Sequence, residues 1–76
     1  MKLTPIAANQ TELELTNGTQ VFFSYKTPVA AYCPDKGYIR TAQFWSVTTS
    51  RHINKWLDGV TRVTEVSQEY LTELVG

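Results

Sequence analysis

The chain has few residues that do covalent chemistry: among its 76 positions there is one cysteine, Cys33, and one histidine, His52. A single cysteine makes no internal bridge, so no disulfide holds the fold, and the reducing cytoplasm is the expected compartment. No H-x-x-E-H, C-x-x-C, G-x-S-x-G or P-loop pattern occurs. That excludes the zinc sites, nucleophile elbows and phosphate cradles those motifs build, and it predicts a non-enzyme with no metal or cofactor. Charge of neither sign prevails, with seven Lys and Arg against seven Asp and Glu. There is thus no overall field to draw the chain onto nucleic acid or an anionic membrane. No apolar run approaches the roughly 18 residues of a membrane span, and Met1-Lys2-Leu3-Thr4-Pro5 does not open a signal peptide. The three prolines and four glycines stand singly, so no repeat, low-complexity tract or linker divides the chain.

What is present fits one small domain over residues 1–76. At 42% hydrophobic and 18% charged the chain is apolar enough to fold. A core of this size buries only about 60% of the unfolded chain's surface. A homodimer or a permanent partner would add the buried area that a small core without staples lacks.

Residues 11–16 alternate polar and apolar, Asn17-Gly18 supplies a type I′ turn pair, and residues 19–25 return rich in β-branched and aromatic side chains. A two-residue loop sets Leu13 opposite Phe22, and Glu12 and Glu14 opposite Phe23 and Val21. Pro28 interrupts that run and a new strand begins. Residues 29–33 are apolar throughout, Pro34-Asp35-Lys36-Gly37 is turn chemistry, and residues 38–41 return. Residues 3–7 add an edge strand in which Pro5 is tolerated with its missing N–H toward solvent.

From Thr48 the period becomes helical: Ile53, Trp56, Leu57 and Val60 share one face, Thr48 or Thr49 caps the start, and Gly59 suits the stop. Residues 61–66 form a β-branched run, after which Ser67 caps a last helix striped by Tyr70, Leu71, Leu74 and Val75. The expected fold is α+β, an antiparallel meander sheet of three to five strands with two short helices packed on one face.

Cys33 and His52 are the minimum for a thiolate nucleophile with an imidazole base. Cys33 lies in an apolar strand, however, where thiols are inert core residues, and no carboxylate near His52 in sequence orients its ring. Residues 36–55 carry Lys36, Arg40, Arg51 and Lys55 with no acid, a local charge of +4 interleaved with Tyr38, Phe44 and Trp45. Alternating stacking faces and cations are what a single-strand nucleic-acid surface uses. The plainer reading makes Phe44 and Trp45 core anchors at the strand-to-helix crossing and the cations a solvated rim. Thr49, Ser50, Arg51 and His52 also gather at a helix start, where free N–H groups attract anions, although ordinary capping accounts for the same residues.

Phe23-Ser24-Tyr25-Lys26-Thr27-Pro28-Val29-Ala30, then Trp45-Ser46, then Thr48-Thr49-Ser50-Arg51-His52-Ile53-Asn54-Lys55-Trp56-Leu57 resemble segments of a family of short, uncharacterised proteins encoded by bacteriophages and other mobile elements. The F-S-Y-x-T-P-V-A and T-T-S-x-H-I-N-x-W-L segments carry the resemblance, which covers residues 21–57. It implies no activity. It implies a setting, the cytoplasm of an infected bacterium, and small genes that act by binding host or phage components.

Scarce catalytic groups and plentiful aromatics favour a non-enzymatic binding protein with Phe23, Tyr25 and Trp45 as interface anchors, and the resemblance implies a host or phage macromolecule as its target, with inhibition as one outcome of that contact. The alternative is a nucleic-acid module built on Lys36, Tyr38, Arg40, Thr49, Ser50, Arg51, His52 and Lys55. Tyr25, Trp45 and Asn54 are also placed to form a polar and aromatic junction where helix meets sheet.

Overall fold

Apolar side chains on both faces of the strands decide the architecture, which a computed structural model describes for residues 2–75. Strands β1 (Lys2–Ala7), β2 (Gln10–Glu14), β3 (Gln20–Ser24), β4 (Thr27–Cys33), β5 (Gly37–Thr41) and β6 (Val63–Val66) form one sheet in sequence order. The first five make an antiparallel meander. Helix α1 (Val47–Trp56) then carries the chain back to the start of β6, which therefore runs parallel to β5, and α2 (Gln68–Val75) follows. The α+β class holds. The sheet has six strands rather than three to five, and its last pairing is parallel rather than antiparallel.

The helices do not share a face, contrary to the expectation. Side chains alternate along each strand, so neighbouring residues point to opposite sides of the sheet, except at the register shift beside Phe22, where Val29 is an extra residue and lies on the same side as Ala30. Phe22, Val29, Ala30 and Tyr38 pack with Ile53, Trp56, Leu57 and Val60 of α1 and the turn after it. Val21, Ala31, Cys33 and Ile39 pack with Tyr70, Leu71, Leu74 and Val75 of α2. Both helical stripes are as the periodicity predicts, but each covers its own side. With both helices on one side, Val21 and Ile39 would face water, and each such side chain contributes about 1.5–3 kcal/mol on burial. No helix in the described residues is long and apolar enough to cross a membrane.

The first hairpin also corrects the register. Leu15 N–H bonds to Thr19 O at 2.8 Å and Gly18 N–H to Leu15 O at 3.1 Å, with Gly18 at φ +90°. The loop is therefore Thr16-Asn17-Gly18, a turn followed by a left-handed glycine, one residue longer than an Asn-Gly turn. Leu13 consequently pairs with Val21, and Glu12 pairs with Phe22. The shift places Glu12 on the α1 side, where its carboxylate accepts from Trp56 Nε1 at 3.1 Å, while Trp56 stacks on Phe22 at 5.3 Å.

At the sheet edge β1 forms as expected. Because Leu15 bonds to Thr19, the alternation turns Leu13 and Thr11 toward β3, and turns Glu12 and Glu14 toward β1. Pro5, paired with Thr11, then faces its nitrogen outward, and the edge has one fewer donor for another strand.

Candidate functional site

The turn between β3 and β4 is the most unusual stretch of backbone. Ser24 and Thr27 pair across a two-residue loop, and its first residue, Tyr25, sits at φ 59°. That position belongs to glycine in such turns, and a side chain there costs about 1–3 kcal/mol. Tyr25 N–H is held by Asn9 O at 2.7 Å, and Asn9 is itself left-handed, at φ 61°, in the β1–β2 turn. The two turns thus fix each other. Tyr25 is 51% exposed on this strained backbone, and its ring is tilted against that of His52 with centroids 6.0 Å apart.

Behind Tyr25 runs a chain of hydroxyls. Ser46 caps α1 in an extended conformation, its Oγ accepting from Thr49 N–H at 3.1 Å; this is the cap expected at Thr48 or Thr49, placed earlier because the N-cap hydroxyl bonds three residues ahead. Ser46 Oγ lies 3.2 Å from Thr49 Oγ1, Thr49 Oγ1 lies 3.2 Å from Ser24 Oγ, and Ser24 Oγ lies 2.8 Å from His52 Nδ1. Each hydroxyl gives one proton, so the chain is satisfied when Ser46 donates to Thr49, Thr49 to Ser24, and Ser24 to the ring nitrogen. Ser24 is only 2% exposed and Thr49 is buried, so this network ties α1 to the end of β3.

A cleft of about 180 Å³ opens in front of the network, lined by Ser24, Tyr25, Thr27, Val29, Trp45, Ser46 and Thr49. Tyr25 and Trp45 are its two exposed aromatic walls, and no charged side chain lines it. Trp45 is not loose: its Nε1–H donates to Gln68 Oε1 at 3.0 Å, and Gln68 Nε2 donates to Pro28 O at 2.7 Å. Phe44, 71% exposed, and Val47 are exposed apolar residues that flank Trp45 in the sequence. A second, shallower groove of about 260 Å³ is lined by Leu3, Thr11, Phe23, Tyr25 and Lys26, so Tyr25 borders both.

The structure brings two of the three aromatics chosen as anchors to one cleft, whereas Phe23 packs half-buried against the α2-side core. Tyr25 and Trp45 face one cleft, and Phe23 lies along the adjoining groove. Phe44 and Trp45 are surface residues, not the core anchors of the plainer reading, because Tyr38, Trp56, Val60 and Val63 already close the α1 side of the sheet. Asn54 does not join Tyr25 and Trp45; it accepts a long 3.5 Å hydrogen bond from Arg40.

The basic and aromatic set does not form one surface. Lys36 donates to Tyr70 Oη at 2.7 Å, tying the β4–β5 turn to α2, and this bond raises its pKa above the ordinary lysine value. Tyr38 is half-buried between Tyr32 and Trp56. Arg40 lies under α1 with its Nε buried and unpaired. Ser50, Arg51 and Lys55 are on α1 itself, with Arg51 and Lys55 exposed, while Thr49 and His52 belong to the hydroxyl network. Cys33 and His52 are separated by the sheet, since Cys33 packs on the α2 side and burial pushes its thiol pKa up. Among the described residues no cluster of three metal-ligating side chains occurs.

Ser24 and Gln68 carry no sequence signal for their roles. They meet His52 and Trp45 across separations of 28 and 23 residues. Neither a curated protein nor a solved structure matches this chain. A family model does match, over residues 1–73, and on that span the chain belongs to a family of unknown function (DUF8033).

Proposed function

We propose that this protein is a non-enzymatic binding module that takes a segment of a partner protein into the cleft between Tyr25 and Trp45. The observation that carries this reading is Tyr25 itself, an exposed aromatic held at a backbone conformation that glycine would adopt without strain. Strain of this kind persists where a position is needed for something other than stability. Exposed Tyr and Trp beside a preformed cleft are the side chains that dominate protein interfaces, and fixing Trp45 in advance reduces the ordering cost of association. The uncharged lining suits a neutral side chain of the partner. The motif resemblance sets the proposed context, a phage-type protein in a bacterial cytoplasm acting on a host or phage component.

The scattered cations give the nucleic-acid reading no comparable support. The test is affinity capture from nuclease-treated bacterial lysate with the wild-type protein beside Trp45→Ala, both checked for an unchanged melting temperature. A dominant protein retained by the wild type and lost by Trp45→Ala is the expected result. Equal retention by both, or an association that nuclease abolishes, overturns the reading.

A further inference from the structure

Gln68 is the first residue of α2, the helix on the far side of the sheet from α1, yet its side chain reaches the cleft wall. It bridges two groups of fixed character. The indole Nε1–H of Trp45 only donates, and the carbonyl of Pro28 only accepts. A group joining them must accept at one end and donate at the other, which orients the Gln68 amide uniquely: Oε1 to Trp45 at 3.0 Å, Nε2 to Pro28 at 2.7 Å. Pro28 precedes Ala30, where β4 begins to pair with β5, so β5 leaves its carbonyl to Gln68. Val66, two residues before Gln68, is fixed by its pairing with Thr41 and by accepting from Ala42 N–H at 2.8 Å. Ser67 Oγ caps α2 by accepting from Tyr70 N–H at 3.2 Å, so the backbone is held on both sides of Gln68.

We infer that Gln68 is the positioning residue of the cleft, a carboxamide clasp that sets the angle of the Trp45 wall from α2. This rests on the cleft being the partner site, and it adds that the site's geometry depends on the docking of the last helix. Glutamate is the same length but cannot donate to Pro28 in its ionised form, and methionine fills similar space with no polar bond, so neither replaces the amide.

The test uses the full chain labelled with ¹⁵N, in which Trp45 and Trp56 give two indole N–H signals. The Trp45 signal is assigned by its absence in Trp45→Phe. In Gln68→Met the Trp45 indole N–H is expected to exchange with solvent about tenfold faster and to lose rigidity in its heteronuclear NOE. The Trp56 signal, bonded to Glu12, stays as in the wild type and reports that the fold is intact. Gln68→Glu at neutral pH is expected to loosen Trp45 as well. An unchanged Trp45 indole in Gln68→Met overturns the clasp, and so does an equal disturbance of both indoles. Failure of the binding reading would look different: Trp45 loosens as stated, but lysate capture by Gln68→Met matches the wild type.

Discussion

Tyr25 carries the sharpest conflict between local preference and observed structure. An L-residue in the left-handed region is disfavoured by about 1–2 kcal/mol, against which stand the Tyr25 N–H bond to Asn9 O and the contact of its half-exposed ring with His52. Tyr25→Gly removes the ring together with the strain, whereas Tyr25→Ala removes the ring and keeps the strain. The glycine variant is therefore predicted to be more stable than the alanine variant by about 1 kcal/mol, read from urea denaturation midpoints. If alanine were the more stable of the two, the turn would not be strained. Ser24 poses a different question, since its hydroxyl serves Thr49 and His52 at once. Ser24→Ala leaves the buried Thr49 and the half-buried His52 each short of a bond and is expected to cost about 1–3 kcal/mol in the same measurement. A change below about 0.5 kcal/mol would show that water replaces the hydroxyl there.

Among the elements, α1 shows how much was legible before the fold was seen. Its buried stripe was plain from the 3–4 spacing of Ile53, Trp56, Leu57 and Val60, because helical periodicity is local. The partner of that stripe was not, since the Glu12 to Trp56 bond depends on a hairpin register that one extra loop residue decides. Trp56 stacks on Phe22 and bonds Glu12, so Trp56→Ala is predicted to destabilise by about 3–5 kcal/mol, whereas Trp45→Ala, at the surface, costs less than about 1 kcal/mol. Thermal or chemical denaturation of the two variants side by side checks this contrast. Equal costs would mean that Trp45 is part of the core. The placement of Phe44 and Trp45 escaped sequence reasoning for a physical reason: whether an aromatic between a strand and a helix turns inward depends on the room left by residues far along the chain, here Trp56, Val60 and Val63.

Across the whole molecule, the sheet's two apolar faces explain both the correct and the incorrect expectations. The α+β class, the edge strand with Pro5, the Ser67 cap and the stripe of α2 follow from local pattern. The opposite placement of the helices follows from a sum over strands, in which Val21 and Phe22, or Ala30 and Ala31, are adjacent apolar residues facing opposite ways. The site, too, is a property of the assembled chain: the β3–β4 turn supplies Tyr25, the loop before α1 supplies Trp45, and α2 supplies Gln68. The most direct measurement is lysate capture by Tyr25→Gly beside the wild type, with folding stability recorded for both. Tyr25→Gly is predicted to keep its fold and to lose the partner that the wild type retains. A Tyr25→Gly protein that captures the same partner as fully as the wild type would contradict the binding reading.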